Sequence, residues 1–312
     1  MSVMLLDAAS MYFRAYFGVP ESMTAPDGTP VNAIRGFLDM TARLVASRKP
    51  TDLVACLDLD WRPAFRVEAI PSYKQHRLAP GSKLSEETPE TLAPQVPILL
   101  DVLAAIGITT AGEVGFEADD VIGTLAHRAK GQVEVVTGDR DLFQLARDEP
   151  PIRILYIARS VAKLEVLGPA EVAAKYGIPG TAYADYAALR GDPSDGLPGV
   201  PGVGDKTAAA LITTYGSLER LLASLDATAE TRTLSGVSPS VRAKLRAARG
   251  YLDVAPTVVQ VRRDLPLPEP RSALPAAPAD PEALVELCDR WGLDSSVGRL
   301  LQACRAVHDA AG

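Results

Sequence analysis

Two rhythms of apolar and polar positions alternate along the chain. Short, nearly continuous apolar runs have the length and branching of buried strands: SVMLLD closes on Asp7, LVACLD on Asp58 and VEVVTGD on Asp139. Between them, PILLDVLAAIGI and DDVIGTLAHRA space their apolar residues as helices do. Such alternation predicts an α/β fold with a mostly parallel central sheet flanked by helices. In sheets of this kind ligands bind beyond the carboxyl ends of the strands, so three strands finishing in Asp aim carboxylates at one rim.

Other acids join them. Asp141 lies just past Asp139, and GFEADDV brings Glu117, Asp119 and Asp120 to a helix start. Capping and the helix dipole account for one or two of these, though not for the acids at strand ends. If ADYAALRGD is a helix ending near Gly191, Asp192 and Asp195 fall in the loop after it. The expectation is nine carboxylates around one cavity. Crowded carboxylates raise one another's pKa, and divalent cations remove that cost. Oxygen-only ligands suit Mg²⁺ or Mn²⁺, and two such ions about 4 Å apart can clamp an in-line displacement at phosphorus.

Composition narrows the setting. At 312 residues the chain can bury a large core as one domain or two. Three scattered cysteines argue against a disulfide framework, three histidines against a zinc site. No apolar run has membrane-spanning length and MSVMLLDAAS lacks a basic leader, so a cytoplasmic protein with no membrane partner is expected. The net charge of −7 argues mildly against nucleic acid, unless the acids are gathered in a metal site and leave basic patches elsewhere. The proline-rich VRRDLPLPEPRSALPAAPADPE reads as an extended crossing segment, followed by a short helical pair around Trp291.

Phosphate-binding features lie beside the acids. LPGVPGVGDKTAAAL reads as turn, turn, helix: Gly199, Gly202 and Gly204 permit tight backbone with exposed amides, and Lys206 and Thr207 open the helix. The likeness to a nucleotide-binding loop fails, because Asp205 separates Gly204 from Lys206 and no strand leads in. RPAFRVEAIPSYKQHRLAPGSK interleaves Arg62, Arg66, Lys74, Arg77 and Lys83 with Phe65 and Tyr73, a pattern suited to single-stranded nucleic acid or to an ordinary surface helix. Arg242, Lys244, Arg246 and Arg249 form a third basic stretch that could follow a duplex backbone.

Five ordered motifs, LLDAASMYFRAY, CLDLDWRPAFRVEAIPSYKQHR, GFEADDVIGTLA, VVTGDRDLFQLA and GDPSDGLPGVPGVGDKTA, resemble the bacterial 5′–3′ exonuclease and flap endonuclease family, including the 5′-nuclease domain of DNA polymerase I. The resemblance runs from about Met4 to Leu301. It implies a PIN-like 5′-nuclease fold with a nuclease core over 1–180, a helical arch at about 73–100, a helix-three-turn-helix duplex-binding region over 181–255, and a crossing segment with C-terminal helices over 256–312. It assigns a first metal group to Asp7, Asp58, Glu117, Asp119 and Asp120 and a second to Asp139, Asp141, Asp192 and Asp195. Lys74 and Arg77 match the basic pair that steers the scissile phosphate; Phe13, Arg14, Arg66 and Tyr73 match positions near the displaced 5′ end. The glycine hairpin matches the duplex-binding motif, which commonly holds K⁺. Expected partners are DNA with a 5′ end, nick or flap, RNA–DNA hybrids, and a separate polymerase and ligase; a monomer is expected.

Some positions depart from the family pattern. Gly196 stands where Asn is usual, which keeps the turn possible but loses a side-chain hydrogen bond. Pro201 replaces a residue that is commonly basic or polar, Phe13 a frequent Tyr, and Asp60 adds a peripheral acid near Asp58. Competing readings are an RNA-directed nuclease, a DNA-binding scaffold without turnover, and a nucleotide-triphosphatase.

Overall fold

The computed structural model describes residues 2–227 and 235–310. Residues 228–234 of the expected duplex-binding region, and 311–312, lie outside the described residues. Six strands form one sheet: β1 (Ser2–Asp7), β2 (Asp52–Cys56), β3 (Thr109–Ala111), β4 (Gln132–Thr137), β5 (Ile152–Tyr156) and β6 (Glu165–Leu167). Their order is β3-β2-β1-β4-β5-β6, parallel except for β6, which pairs antiparallel with β5. The three expected strands are β1, β2 and β4. Asp7 ends its strand, whereas Asp58 and Asp139 lie two residues beyond theirs.

Side chains alternate across each strand, so an apolar run must find cover on both faces. Met4, Leu6, Leu53, Ala55 and Val136 face one core, shared with the helices Asn32–Arg48, Gln95–Ile106 and Asp294–Asp309. Leu5, Val54, Val133 and Val135 face the other, shared with Ala118–Arg128, Tyr183–Arg190 and Asp205–Tyr215. That second core is continuous from Leu5 to Leu252, so the helices after residue 181 are anchored to the sheet by shared apolar burial.

Residues 260–280 cross between the faces without regular structure. Leu53 N–H donates to Ser272 O at 2.7 Å and Leu274 N–H to Thr51 O at 3.0 Å, which lays the segment against the start of β2. The boundary expected at 256 falls inside the helix Arg249–Val259, so the crossing begins later. Helix is sparse across the stretch 73–100. Apart from a single turn at Gln75–Arg77, no helix forms until Gln95. Pro80, Gly81, Pro89 and Pro94 interrupt this stretch, and Leu78 bridges Glu86 instead. No described helix is long and apolar enough to cross a membrane.

The helices Ala8–Gly18 and Asn32–Arg48 cross closely at Gly36, where an added Cβ would stand 2.7 Å from Ala15 Cβ and 2.9 Å from Val19 Cγ2. Gly36→Ala gains at most about 1 kcal/mol of helix propensity, whereas overpacking costs about 1–3 kcal/mol. A lowered urea midpoint is expected, and an unchanged one would show that the crossing opens freely.

Candidate active site

Asp7, Asp58, Glu117, Asp119 and Asp139 line one cavity of about 210 Å³ at the carboxyl rim of the sheet, together with Lys74 and Arg77. Local structure explains several placements. Asp7 caps the helix Ala8–Gly18 by accepting from Ser10 N–H at 3.0 Å, and Thr137 Oγ1 donates to its other oxygen at 2.7 Å. Asp58 accepts from Ala118 N–H at 2.6 Å, at the start of the next helix. Asp139 accepts from Asp141 N–H at 2.9 Å, which sets Asp141 beside the same opening.

The acids divide by whether the protein supplies a cation. Glu117 pairs with Lys74 and with Arg66 at 2.6 Å; Asp195 pairs with Arg77 at 3.0 Å; Asp192 pairs with Arg190 at 3.1 Å and lies 3.6 Å from Arg140. Among the described residues Asp7, Asp58, Asp119, Asp139 and Asp141 form no salt bridge. Burial, then the charge of Asp58, pushes Asp7 up to about 7. Burial and the charges of Asp139, Asp7 and Glu117 hold Asp119 well above the usual carboxylate range; burial with Asp139, Asp195 and Asp192 does the same to Asp141. Asp141 Oδ1 is buried with no hydrogen-bond partner. An orphaned oxygen among raised, oxygen-only acids is a donor set that fits divalent cations. As they stand, no three His, Cys, Asp or Glu side chains among the described residues converge closely enough to hold one ion together.

Three assignments change. Asp120 is fully buried and faces away from the cavity: it accepts from Arg66 Nη1 and Nη2 at 2.8 and 2.7 Å and from Arg262 N–H at 2.8 Å. Arg66 is 2% exposed and spent on Asp120, Glu117 and Val258 O, so it is an internal counter-charge rather than a contact to a displaced strand. Tyr73 is buried likewise, its hydroxyl donating to Glu117 at 2.8 Å. In both cases an apolar surround makes an unpaired charge or hydroxyl costly, so the residues turn inward to a partner. Two members of the basic–aromatic segment are therefore internal, and half-buried Arg62 donates to the carbonyls of Tyr73 and Pro71. Phe13 lines the cavity, and Arg14 stands beside Gly138 in the neighbouring cavity. Asp60 bonds Arg62 N–H and does not line the site.

Lys74 is one of two non-glycine residues with positive φ among the described residues, at 48°. Its N–H donates to Asp195 O at 2.9 Å, Ser72 Oγ to Gly196 O at 2.9 Å, and Arg77 Nη2 to Ser194 O at 2.7 Å. These bonds clamp the acid loop to the basic segment. Gly196 has φ 71°, and a Cβ there would stand 2.3 Å from Ser72 O. The loop is therefore held tight through its backbone, without the side-chain hydrogen bond an Asn would add.

The glycine hairpin continues from the same loop. Asp192 and Leu197 bond each other's backbone, and Val200 N–H reaches Leu189 O at 2.9 Å. Gly199, φ 64°, passes so close to Gly191 N that a Cβ would lie at 2.4 Å. Gly202 O accepts from Lys244 at 3.3 Å, and Gly204 caps the helix on which Lys206 is exposed and Thr207 half-buried. Arg249 is held by Asp226 and Asp253, and Arg242 is buried, so the third basic stretch does not present a single open face. Trp61, Glu86 and Ser10 also line the acid cavity. No sequence spacing marked them; a tertiary fold was needed to bring them in.

Fold and site together define a class: an α/β protein whose parallel sheet carries a cation-seeking ring of acids at its carboxyl rim. Two family models match in tandem, the 5′-3′ exonuclease N-terminal resolvase-like domain over residues 2–177 and the 5′-3′ exonuclease C-terminal SAM fold over 178–282. A 5′-3′ exonuclease of Streptomyces coelicolor is 54% identical over 306 residues, covering 97% of this chain and 100% of that protein. DNA polymerase I of Mycobacterium bovis is 39% identical over 292 residues, 92% of this chain and 30% of the polymerase. The solved T5 5′-exonuclease with bound divalent ions (zinc) matches at TM-score 0.62 and 17% identity over the whole of both chains, a likeness of fold. The chain belongs to the 5′-3′ exonuclease family.

The unfolded chain loses the Asp7 proton near pH 4, whereas the folded, cation-free protein keeps it to about 7. The folded state binds more protons across that window, so the Asp7 contribution to stability falls as pH rises from about 4 to about 7. Urea titrations in chelator should show this decline, and Asp7→Asn should make it shallower, the other raised acids keeping the remainder. An identical profile in the variant would remove Asp7 as its source.

Proposed function

We propose that this chain is a divalent-cation-dependent 5′-nuclease that hydrolyses phosphodiester bonds of DNA at a free 5′ end, nick or flap. What carries the reading is the ring of unpaired acids, with Asp141 Oδ1 buried and unpartnered, on the same rim as Lys74. Membership of the family and the naming of the Streptomyces coelicolor relative support the same reaction.

Asp7, Asp58, Glu117, Asp119, Asp139, Asp141, Asp192 and Asp195 would hold the cations. Oxygen-only donors suit Mg²⁺ or Mn²⁺, which would supply charge neutralisation and a water of lowered pKa. Glu117 and Lys74 then act as a pair. Burial opposes the Lys74 charge, but Glu117, Tyr73, Asp195 and Asp58 outweigh it and hold its pKa well above the usual lysine value. The ammonium therefore stays protonated in the cavity and faces the negative charge that develops on the scissile phosphate. Arg77, fixed by Asp195 and Ser194 O, adds a second cation at the rim.

The hairpin of Gly199, Gly202 and Gly204, with Lys206 and Thr207 at a helix start, would seat the duplex backbone. Its carbonyls offer K⁺ a place, and Lys244 already rests on one of them. Such contacts follow the shape of a duplex rather than its base edges, so a 5′ RNA strand paired to DNA is admitted on the same terms.

The first test is cleavage of a 5′-labelled flap duplex with Mg²⁺, Mn²⁺ or EDTA, beside Asp141→Asn. Metal-dependent cutting near the junction is expected, lost in the variant by at least about a hundredfold while duplex binding is kept. Near-normal turnover in the variant would break the assignment. Lys74→Ala should lower single-turnover cleavage by about 10²–10³ with little change in substrate affinity. A pure affinity loss would make Lys74 an ordinary phosphate contact.

A further inference from the structure

Asp192 differs from the other acids assigned to the cations in the reach of its counter-charge. Arg190 ends the helix Tyr183–Arg190 and is half-buried. Its Nη2 donates to Asp192 Oδ2 at 3.1 Å and its Nε to Gly191 O at 3.0 Å. On the other side, Nη1 lies 3.5 Å from Asp205 Oδ1, at the start of the helix Asp205–Tyr215. Tyr186 fixes that second carboxylate, its hydroxyl donating to the same oxygen at 2.6 Å, and its ring lies 5.5 Å from the guanidinium. One guanidinium is therefore shared between an acid of the cavity loop and an acid of the proposed duplex seat.

The two carboxylates stand in different surroundings. Asp192 is buried with both oxygens engaged: Ser194 N–H donates to Oδ1 at 2.9 Å, while Arg190 and, at 3.6 Å, Arg140 share Oδ2. A divalent cation arriving at Oδ2 meets a guanidinium already there, and two cations on one oxygen repel. Asp205 is exposed, next to Lys206 and Thr207 at a helix start whose free N–H groups favour an anion. A phosphate seated there adds negative charge on the side that Nη1 already faces. Bonds from arginine to phosphate are charge-assisted and strong, so the seated phosphate draws the guanidinium away from Asp192.

We propose that Arg190 is a positioning residue that withholds Asp192 from the cation until a duplex backbone is seated at the glycine hairpin. With a phosphate at the helix start the guanidinium leans toward it and Asp205, and Asp192 Oδ2 is left free to ligate. By linkage, cation and duplex then strengthen each other's binding through Arg190. This inference rests on the nuclease reading of both sites and adds how filling one prepares the other.

The test uses a fluorescent duplex closed at both ends by loops, which can lie on the glycine hairpin but brings no free 5′ end to the acids. Its affinity is read by anisotropy in EDTA and in saturating Mn²⁺ at matched ionic strength. Binding of Mn²⁺ without DNA is read from the paramagnetic resonance of the free ion. Wild type is expected to hold the closed duplex roughly fivefold more tightly in Mn²⁺ than in EDTA. Arg190→Met should bind Mn²⁺ more tightly than wild type without DNA, and should lose the gain in duplex affinity. Arg140→Met removes the other cation beside Asp192 without touching Asp205, so it should keep the gain. No gain in wild type, a gain kept in Arg190→Met, or a gain lost in Arg140→Met would each overturn the proposal. Weaker Mn²⁺ binding in Arg190→Met would overturn it too, by making Arg190 a plain support for Asp192. The wild-type result stands without any variant, so a folding defect in Arg190→Met does not shield the proposal. Cleavage of a flapped duplex with Mn²⁺ decides the nuclease reading separately: cutting there with no gain on the closed duplex ends this proposal alone.

Discussion

Carboxylates crowded on one rim repel one another, and partial burial removes the water that would screen them. Much of the architecture around this cavity can be understood as the management of that repulsion. Arg66 carries the charge of Asp120 and part of Glu117 in the interior, Lys74 the rest of Glu117, Arg77 that of Asp195, and Arg190 that of Asp192. Among the described residues, Asp7, Asp58, Asp119, Asp139 and Asp141 are left without a salt bridge, and all but Asp141 line the cavity. Filling every acid with an internal arginine would stabilise the apo fold and leave no place for a catalytic cation. The observed division keeps both a folded protein and an unsatisfied site.

The same ion pairs also set distances. Lys74 takes a left-handed conformation that costs a side-chain-bearing residue free energy, and its N–H is bonded to Asp195 O. Ser72 and Arg77 bond the neighbouring carbonyls of the acid loop. Gly196 lets the two backbones touch, since any Cβ would collide with Ser72 O. From that contact the chain runs directly into the glycine hairpin, itself pinned by Val200 to Leu189. The hairpin and the acid cavity are thus related through one short, bonded stretch of backbone.

The overall charge of −7 misdescribes the surface a nucleic acid would meet. Acids are concentrated in the cavity and on a wall of Glu86, Glu87 and Glu90, whereas Arg14, Arg43, Arg159 and Lys206 lie elsewhere. Electrostatic guidance depends on this local segregation, because charges farther apart than about 10 Å are largely screened at ordinary salt.

The strands β1, β2 and β4 were legible in the apolar runs that form them, because a strand buried on both faces must be apolar at nearly every position. The rim acids were legible with them, since the carboxyl end of a parallel strand has one direction only, and the five ordered motifs pointed to the family. What local pattern could not carry was the destination of each polar side chain. Asp119 and Asp120 are adjacent in one motif, yet a helix turns successive residues by about 100°, so one faces the cavity and the other meets Arg66 in the core. Arg66 and Tyr73 looked like surface contacts for the same reason: a charge or hydroxyl is read as exposed until tertiary packing supplies a buried partner. The tight Gly196 loop and the entry of Trp61 and Glu86 into the site were likewise settled by contacts between residues distant in the chain. Periodicity determined which elements exist and where their ends point; only the packed structure decided which charges face one another.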